Sequence, residues 1–410
     1  MYTRRAFLKT GGLAFFAAGF GGSPAFLNRA VHAALQPNQY GKRKILVTIF
    51  QRGGMDGLMA VPPMGDALLL QSRPRLGMSA ARSAGENAVI DLKCGFGLHP
   101  GFASLLPYFK DNRLAIVHGM GSPDKTRSHF DAQDYMESGT PGRKGTRSGW
   151  LNRAVGQLGH EGTAFRAVAI TKALPRSLYG DEPALAVSDL RHFGVKVPGA
   201  AKIAKKAGNT FESLYEATTE ELLRGASRKS FEAIDLLSKA KLRSYRPQNG
   251  AEYPQGQLGN SLRQIALLVK ADVGLEVAFA ESGGWDTHVQ QGTTNGSFAR
   301  QSRELAYAMT AFWKDIGKFQ DNVVLMTMTE FGRTVRENGS GGTDHGRGSC
   351  LFVLGNSVDG GKVHGSVPRL VPEELEDGRD LPVTTDFRAI FAEVAGKHLG
   401  IQNDAALFPG

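Results

Sequence analysis

The stretch Ala280–His345 contains three polar segments, AESGGWDTH (280–288), TEFGR (329–333) and GGTDH (341–345). The first two follow short apolar runs of the kind that form buried strands. Loops after such strands hold ligands in open α/β sheets, and carboxylates and imidazoles bind divalent metals. The candidate ligands in these loops are Glu281, Asp286, His288, Glu330, Asp344 and His345. We therefore predict a metal site at the carboxyl ends of the strands.

Apolar runs elsewhere predict more strands of the same sheet, at Lys44–Phe50, Leu114–Gly119, Phe165–Ile170, Ala184–Val187 and Cys350–Gly355. Amphipathic patterns predict helices at Phe102–Asn112, Leu258–Val269, Arg300–Phe319 and Asp386–Leu399. This alternation is typical of an α/β domain. Residues 140–260 are the least regular part. A helical pattern rich in Lys, Glu and Leu from Asn209 to Arg243 predicts a mainly helical cap or insertion there.

The loop after the Lys44–Phe50 run reads QRGGMDGL (51–58) and contains Arg52 and Asp56. Its position at a strand end makes Asp56 a candidate metal ligand. The alternative is that Asp56 only caps the next turn.

Another polar loop follows Leu114–Gly119 and contains Arg127, Ser128 and His129 at the start of a probable helix. An anion gains from the free N–H groups of a helix start, which makes Ser128 a candidate nucleophile and Arg127 a candidate phosphate or sulfate ligand. The alternative is that Ser128 is an ordinary N-cap residue. His129 is a candidate base, ligand or packed side chain.

Asp286 and His288 lie two residues apart, so an extended or turned backbone can direct both at one ion. The alternative is a capping aspartate and a surface histidine. Asp344 and His345, in a glycine-rich loop, are the second strong pair of candidate ligands. That loop lacks the Gly-Lys-Ser/Thr of a P-loop, which argues against nucleotide binding.

The composition limits the partners of the chain. It has 410 residues and a formal net charge of +10, and four of the basic residues lie among the first 33. The remaining excess is spread over many positions without a basic stripe, so we expect no nucleic acid partner. The two cysteines, Cys94 and Cys350, are compatible with one disulfide or with two thiols.

The N-terminal segment has the order of an export signal. Residues 3–9 read TRRAFLK, an apolar run follows at Gly11–Phe20, and Val31-His32-Ala33 offers a cleavage site. The paired arginines resemble the twin-arginine signal. We predict removal of residues 1–33, no transmembrane anchor in the mature chain, and a periplasmic or secreted location.

From about Lys44 to Leu399 the chain resembles an exported bacterial domain-of-unknown-function family that is grouped with the alkaline phosphatase–sulfatase superfamily. The motifs that carry the resemblance are RGGMDG (52–57), RSHFDAQD (127–134), GGWDTH (283–288), TEFGR (329–333), GGTDHG (341–346) and TTDFRAIFAEV (384–394). The resemblance implies one α/β domain over residues 41–400. It also implies a three-layer α/β/α sandwich with a mostly parallel sheet, and one or two divalent ions (Zn, Mn, Ca or Mg) at strand ends.

The resemblance also implies roles for single residues. Asp56 matches the acidic ligand after the first strand, and Ser128 lies near the position of the nucleophile. Asp286 and His288 look like the Asp/His pair of one metal, and His345 looks like the late histidine ligand, with Asp344 beside it. Glu330 stands where an Asp-His pair usually begins.

Two departures leave alternatives open. Asp286 and His288 have the spacing Asp-x-His instead of Asp-x-x-x-His, and Glu330-Phe331 replaces an Asp-His pair. No Cys-x-Pro-x-Arg is present, so a sulfatase formylglycine is not expected. The site is therefore expected to hold one metal or to be remodelled without one. The expected function is metal-dependent hydrolysis of a small-molecule or polymer-borne phosphate or sulfate ester, with Ser128 or water attacking and Arg127 or Arg52 neutralising charge. The rival is a non-catalytic exported binding or assembly protein.

Overall fold

A computed structural model describes residues 14–15, 43–78, 88–160, 162–190 and 245–409. Its strands, in chain order, are β1 Ala14–Phe15, β2 Ile45–Gln51, β3 Ile90–Asp91, β4 Gly97–Leu98, β5 Leu114–Gly121, β6 Ala167–Ala169, β7 Leu185–Ala186, β8 Val277–Ser282, β9 Val323–Met328, β10 Ser349–Leu354, β11 Val363–His364 and β12 Thr385–Asp386. Every strand predicted from an apolar run is present, with bounds within a few residues of the prediction.

The α-helices of the described residues are α1 Gly57–Ala60, α2 Ala67–Ser72, α3 Leu106–Lys110, α4 His129–Ser138, α5 Trp150–Gly156, α6 Gln257–Ala271, α7 Ser297–Ile316, α8 Phe387–Leu399 and α9 Asp404–Leu407. Short 3₁₀ helices lie at Pro100–Leu105, Arg176–Leu178, Gly317–Asn322 and Pro372–Glu374. The predicted helix Phe102–Asn112 is therefore a 3₁₀ turn followed by α3, and the end of the predicted helix Arg300–Phe319 is also 3₁₀.

The central sheet has the strand order β1-β7-β6-β8-β2-β9-β10-β5-β11, with β12 also paired to β5. Neighbours from β7 to β9 run parallel, and β1 and β10 run against the rest. Phe50 of β2 is in register with Glu281 of β8 and with Met328 of β9. The carboxyl ends of these three strands therefore meet at one edge of the sheet.

The two faces of the sheet carry separate hydrophobic cores, as alternation along a buried strand requires. Ile45, Val47 and Ile49 of β2 belong to a core that includes residues of α6 and α7. Leu46 and Phe50 belong to a second core with residues of α5 and α8. Helices thus cover both faces, and the predicted three-layer α/β/α sandwich with a mostly parallel sheet is confirmed.

Some predictions concern residues that lie outside the described ranges. The cap or insertion predicted within 140–260 falls mainly on residues 191–244, and the export signal falls almost wholly on residues before 43. Those predictions, and the domain bounds 41–400, stay predictions. Among the described residues, no helix is both long and apolar enough to cross a membrane. Cys94 is exposed and Cys350 is buried, and both are free thiols.

Candidate metal centre

Three loops bring ionisable side chains together at the carboxyl edge of the sheet. The loop after β5 leads to His129 at the start of α4, and the loop after β8 contains Asp286 and His288. His345 lies in the loop between β9 and β10. One ligand atom from each of His129, Asp286 and His345 lies within 4.8 Å of the others. These residues form the centre of the candidate site.

Asp286 lies between three imidazoles. Its Oδ1 is 3.0 Å from His288 Nε2 and 3.2 Å from His345 Nε2. Its Oδ2 is 3.5 Å from His129 Nε2. We call Asp286, His129, His288 and His345 the Asp286 cluster. All three histidines direct Nε2 toward the same carboxylate.

The Nδ1 atom of each histidine faces a hydrogen-bond acceptor. His129 Nδ1 is 2.9 Å from Glu330 Oε1, and His288 Nδ1 is 2.9 Å from Asp344 Oδ1. His345 Nδ1 is 2.8 Å from the backbone oxygen of Arg127. A backbone carbonyl accepts and never donates, so His345 carries its proton on Nδ1. Ionised carboxylates impose the same tautomer on the other two rings when these are neutral, so each neutral ring directs an Nε2 lone pair at the cluster.

The two carboxylates behind the histidines are held ionised. Burial would raise the pKa of Glu330, but hydrogen bonds from His129, Gln133 and the Gly53 backbone outweigh burial and lower it. The hydrogen bond from His288 holds the pKa of Asp344 below its usual range. Both groups therefore act as acceptors at neutral pH.

Glu330 lies beneath the cluster and orients its parts. Its side chain is fully buried, and its Oε1 accepts from Gly53 N–H at 2.8 Å and from Gln133 Nε2 at 2.8 Å as well as from His129. Its Oε2 lies 3.2 Å from Thr329 Oγ1. Three of these contacts converge on Oε1, so Glu330 lies behind His129 and orients its ring through Nδ1.

Phe331, which replaces the expected histidine, forms a wall of the site. Its ring centroid is 4.9 Å from that of His129 and 4.8 Å from that of His345. An aromatic face against two imidazoles limits their rotation. The Glu330-Phe331 pair therefore supports two histidines of the cluster from below and from the side.

A buried guanidinium closes the inner side of the cluster. The Arg333 side chain is fully buried, and its Nη2 donates to Asp286 Oδ1 at 2.6 Å. The same guanidinium donates to the backbone oxygens of Gly54 at 2.7 Å and of Thr343 at 3.0 Å. Burial would raise the pKa of Asp286, but the hydrogen bond and charge of Arg333 outweigh it and hold that pKa at about 2. Asp286 is therefore anionic over the whole physiological range.

The structure does not bring Asp56 into the cluster. Asp56 is buried, and its carboxylate pairs with the buried Arg73 through contacts of 2.8 and 3.1 Å. It also accepts from Met59 N–H as the N-cap of α1 and from Gln291 Nε2 at 2.7 Å. Both oxygens are engaged, which agrees with the capping alternative.

The candidate anion-binding arginines are each paired with two carboxylates. Arg52 donates to Glu281 and to Glu137, each at 2.7 Å. Arg127 donates to Asp380 at 2.6 Å and to Asp377 at 2.8 Å. Arg127 contributes to the cluster through its backbone oxygen, which orients His345.

Ser128 occupies the N-cap position of α4 and is exposed, but its side chain makes no capping hydrogen bond. Its hydroxyl is therefore not committed to the helix. Position 128 is also adjacent in sequence to His129. Both interpretations of Ser128 remain compatible with the geometry.

Sequence reasoning did not single out Arg333, Gln133, Arg73 or Gln291 as parts of the site. A signal for Gln133 was present, because it lies four residues after His129 and so shares a face of α4. Arg73 and Gln291 meet Asp56 only through the tertiary fold. No local spacing predicts those contacts.

The fold and the cluster define an α/β protein with a candidate divalent metal centre at the carboxyl edge of a mostly parallel sheet. A family model described as "Protein of unknown function (DUF1501)" matches residues 77–408, and the chain belongs to this family. Comparison with curated protein sequences gives no significant match.

Among solved structures, the chain is similar to the PsFucS1 sulfatase from Pseudoalteromonas sp., with 10% identity and a TM-score of 0.37 over 93% of this chain and 73% of that chain. It is also similar to the alkaline phosphatase from the Antarctic bacterium TAB5, with 10% identity and a TM-score of 0.30 over 77% of this chain and 92% of that chain. Likenesses at this level carry no argument about the site.

Proposed function

We propose that this protein is an exported, metal-dependent hydrolase of phosphate or sulfate esters. The observation that carries the proposal is the convergence of three histidine Nε2 atoms on Asp286. Each Nδ1 faces an acceptor, the arrangement that orients imidazoles toward a metal. The Nε2 atom of His129 is buried and has no hydrogen-bond partner among the described residues. A cation beside Asp286 would satisfy that atom.

The donor set fits an ion of the zinc type. Three imidazoles and one carboxylate are ligands that zinc and similar transition metals prefer, whereas calcium and magnesium prefer oxygen. We infer that His129, His288, His345 and Asp286 hold one such ion. The ion would supply Lewis-acid polarisation of the ester and a lowered pKa for the attacking group.

Residues of the chain would supply the remaining functions. Arg333 keeps Asp286 anionic, and Glu330, Asp344 and the Arg127 carbonyl keep the Nε2 lone pairs free for the ion. The uncapped start of α4 offers backbone N–H groups to an anionic ester oxygen, which supports the choice of substrate class. Ser128 is the candidate nucleophile, with water as the alternative. The partial exposure of Asp286, at 46% of its side chain, leaves room for substrate to approach.

Metal analysis of the purified full chain tests this proposal. We expect about one equivalent of a divalent metal and hydrolysis in a panel of 4-nitrophenyl phosphate, bis(4-nitrophenyl) phosphate and 4-nitrophenyl sulfate. Asp286→Ala and His345→Ala should lose both the metal and the activity. His364→Ala is the matched control, because His364 is bonded to the backbone of Asp359 and makes no contact with the cluster histidines. A metal-free wild type that is folded and hydrolyses no ester would contradict the proposal.

A second candidate function is non-catalytic binding on the same fold. The pairing of Arg52 and Arg127 with two carboxylates each favours it, because those guanidiniums are then not free to neutralise an ester. The hydrolytic activity of the wild type separates the two candidates, and Ser128→Ala then separates a serine nucleophile from water. With Ser128 as the nucleophile, we expect loss of about 1,000-fold or more in kcat with metal content unchanged. A wild type that binds metal and lacks any hydrolytic activity would favour the binding function.

A further inference from the structure

Gln291 connects the loop that bears Asp286 and His288 with the loop that bears His345. Its side chain is fully buried. Its Oε1 accepts from Thr287 Oγ1 at 2.8 Å and from Thr343 Oγ1 at 2.7 Å. Its Nε2 donates to Asp56 Oδ2 at 2.7 Å. One amide therefore holds three separate segments of the chain.

The two threonines stand beside the candidate ligands. Thr287 lies between Asp286 and His288, and Thr343 is followed directly by Asp344 and His345. The backbones of the two loops also meet, since Thr343 N–H donates to Thr287 O at 3.1 Å. A shift of one threonine relative to the other would move one pair of site residues against the other pair.

The fit between the loops leaves little freedom. A Cβ atom on Gly342 would lie 2.3 Å from backbone atoms of His288, so a side chain at this position would force the loops apart. Because the two backbones are in contact, the hydrogen bonds to the buried Gln291 amide set the positions of the Thr287 and Thr343 side chains. A small displacement of either threonine therefore also displaces the nearby histidine, His288 or His345.

The orientation of the amide is fixed by Asp56. Arg73 holds the Asp56 carboxylate on two contacts, and this carboxylate can only accept a hydrogen bond from Gln291. The Nε2 atom therefore faces Asp56, and Oε1 faces the two hydroxyls. A reversed amide would place its oxygen against the Asp56 carboxylate oxygen, with no proton between them.

We propose that Gln291 is a positioning residue of the metal centre, which sets the separation between the Asp286–His288 segment and the Asp344–His345 segment. Asp56 and Arg73 are its anchor, so Asp56 acts on the site through Gln291 rather than as a ligand. The inference rests on the proposed metal site and adds the residue that aligns its two halves.

Threonine variants test the inference with little change of shape. Thr343→Val and Thr287→Val remove one hydroxyl each, whereas Thr343→Ser and Thr287→Ser keep it, and Gln291→Met removes all three contacts. We expect the valine and methionine variants to bind Zn²⁺ about 10- to 100-fold more weakly, measured by competition with a chromophoric chelator. Their Co²⁺ complexes should show a changed visible absorption spectrum. The serine variants should retain wild-type affinity and the wild-type spectrum.

Thr310→Val is the matched control, because Thr310 is a partly buried threonine of α7 that bonds to Ser104. Its metal affinity should equal that of the wild type. Thermal melts of the metal-free variants show whether the fold survives. If the wild type binds metal and the valine and methionine variants bind it equally well, the positioning role of Gln291 is refuted. Equal losses in the valine and serine variants would also refute it. A wild type that binds no metal would instead refute the proposed function.

Discussion

The Nε2 atom of His288 lies 2.8 Å from the Nε2 atom of His345. His345 has its Nδ1 proton fixed by the Arg127 carbonyl, and His288 faces the ionised Asp344 with its own Nδ1. In neutral rings with these tautomers, two lone pairs face each other at hydrogen-bond distance. A shared proton or a shared cation removes the repulsion between them, and Asp286 stands next to both atoms to balance the added charge.

Replacing Glu330 with glutamine tests its role behind His129. Glu330→Gln keeps the shape of the side chain and removes its charge. The hydrogen bond that keeps the proton of His129 on Nδ1 therefore becomes weaker. We expect the affinity for Zn²⁺ to fall about 10- to 100-fold, as measured by chelator competition. Glu393→Gln is the matched control, because Glu393 is an exposed glutamate of α8 that pairs with Lys397. Unchanged affinity in Glu330→Gln would show that this carboxylate does not support a ligand.

Arg73→Met tests the buried pair with Asp56. Both side chains are 1% exposed, so removal of the guanidinium leaves an uncompensated buried carboxylate. We expect the free energy of unfolding to fall by about 3–5 kcal/mol in urea titrations. The exposed pair of Lys397 and Glu393 provides the comparison, and Lys397→Met should cost about 1 kcal/mol or less. Similar losses of unfolding free energy in the two variants would show that burial does not determine the cost of removing the cation.

Buried histidines should make the stability depend on pH. Burial lowers the pKa of His118 from 6.5 to about 4, and both ring nitrogens are bonded in the neutral form, to Val61 O and to Gly119 N–H. Between these two values the unfolded chain binds a proton that the folded chain does not. The stability contributed by neutral His118 is therefore complete above pH 6.5 and decreases as the pH falls toward 4, by about 3 kcal/mol in total.

Urea titrations between pH 7.5 and pH 4 measure whether the free energy of unfolding falls on acidification. This range includes both pKa values. His118→Gln should show a smaller loss of stability on acidification than the wild type. His364→Gln, at a partly buried histidine of β11, should keep the wild-type pH dependence. An identical dependence in His118→Gln would mean that another group is responsible.

The export signal can be tested by conservative substitution. Replacing Arg4 and Arg5 with lysine keeps the charge of the segment and removes the arginine pair. We expect the full chain with both substitutions to accumulate in the cytoplasm, whereas the wild type reaches the periplasm or medium and loses about its first 33 residues. Cell fractionation and N-terminal sequencing measure both effects. Export of the double variant at the wild-type rate would exclude the twin-arginine route.

Much of the fold follows from local pattern. Strands β2, β5, β8, β9 and β10 are buried on both faces, so their sequences are continuous apolar runs that are visible without a structure. The reversed direction of β10 was not predicted, because a buried run reads the same in a parallel and an antiparallel strand. The 3₁₀ start of the Phe102–Asn112 segment was also missed, since its apolar spacing fits either kind of helix.

The sequence predicted some residues of the candidate site correctly and misassigned others, because a polar residue at a strand end can have more than one role. Asp286, His288 and His345 were expected at strand ends, and the structure brings them together. Asp56 and Arg127 were also predicted from their positions in loops after strands. In the structure Asp56 pairs with Arg73, and Arg127 pairs with Asp380, which is distant in sequence. A carboxylate at a strand end fits a metal or an arginine equally well, and only the fold decides between them. The partnership of Gln291 with Asp56 joins residues 235 positions apart in the sequence and has no local signal.

The central claim is that one divalent ion binds to the Asp286 cluster. Anomalous diffraction at the metal absorption edge, from crystals of the purified protein loaded with Zn²⁺, measures this directly. We expect a single strong peak about 2.0–2.2 Å from the Nε2 atoms of His129, His288 and His345 and from an oxygen of Asp286. The peak should be missing in Asp286→Ala crystals grown in the same way. A zinc-loaded wild type without a peak at this position would contradict the account.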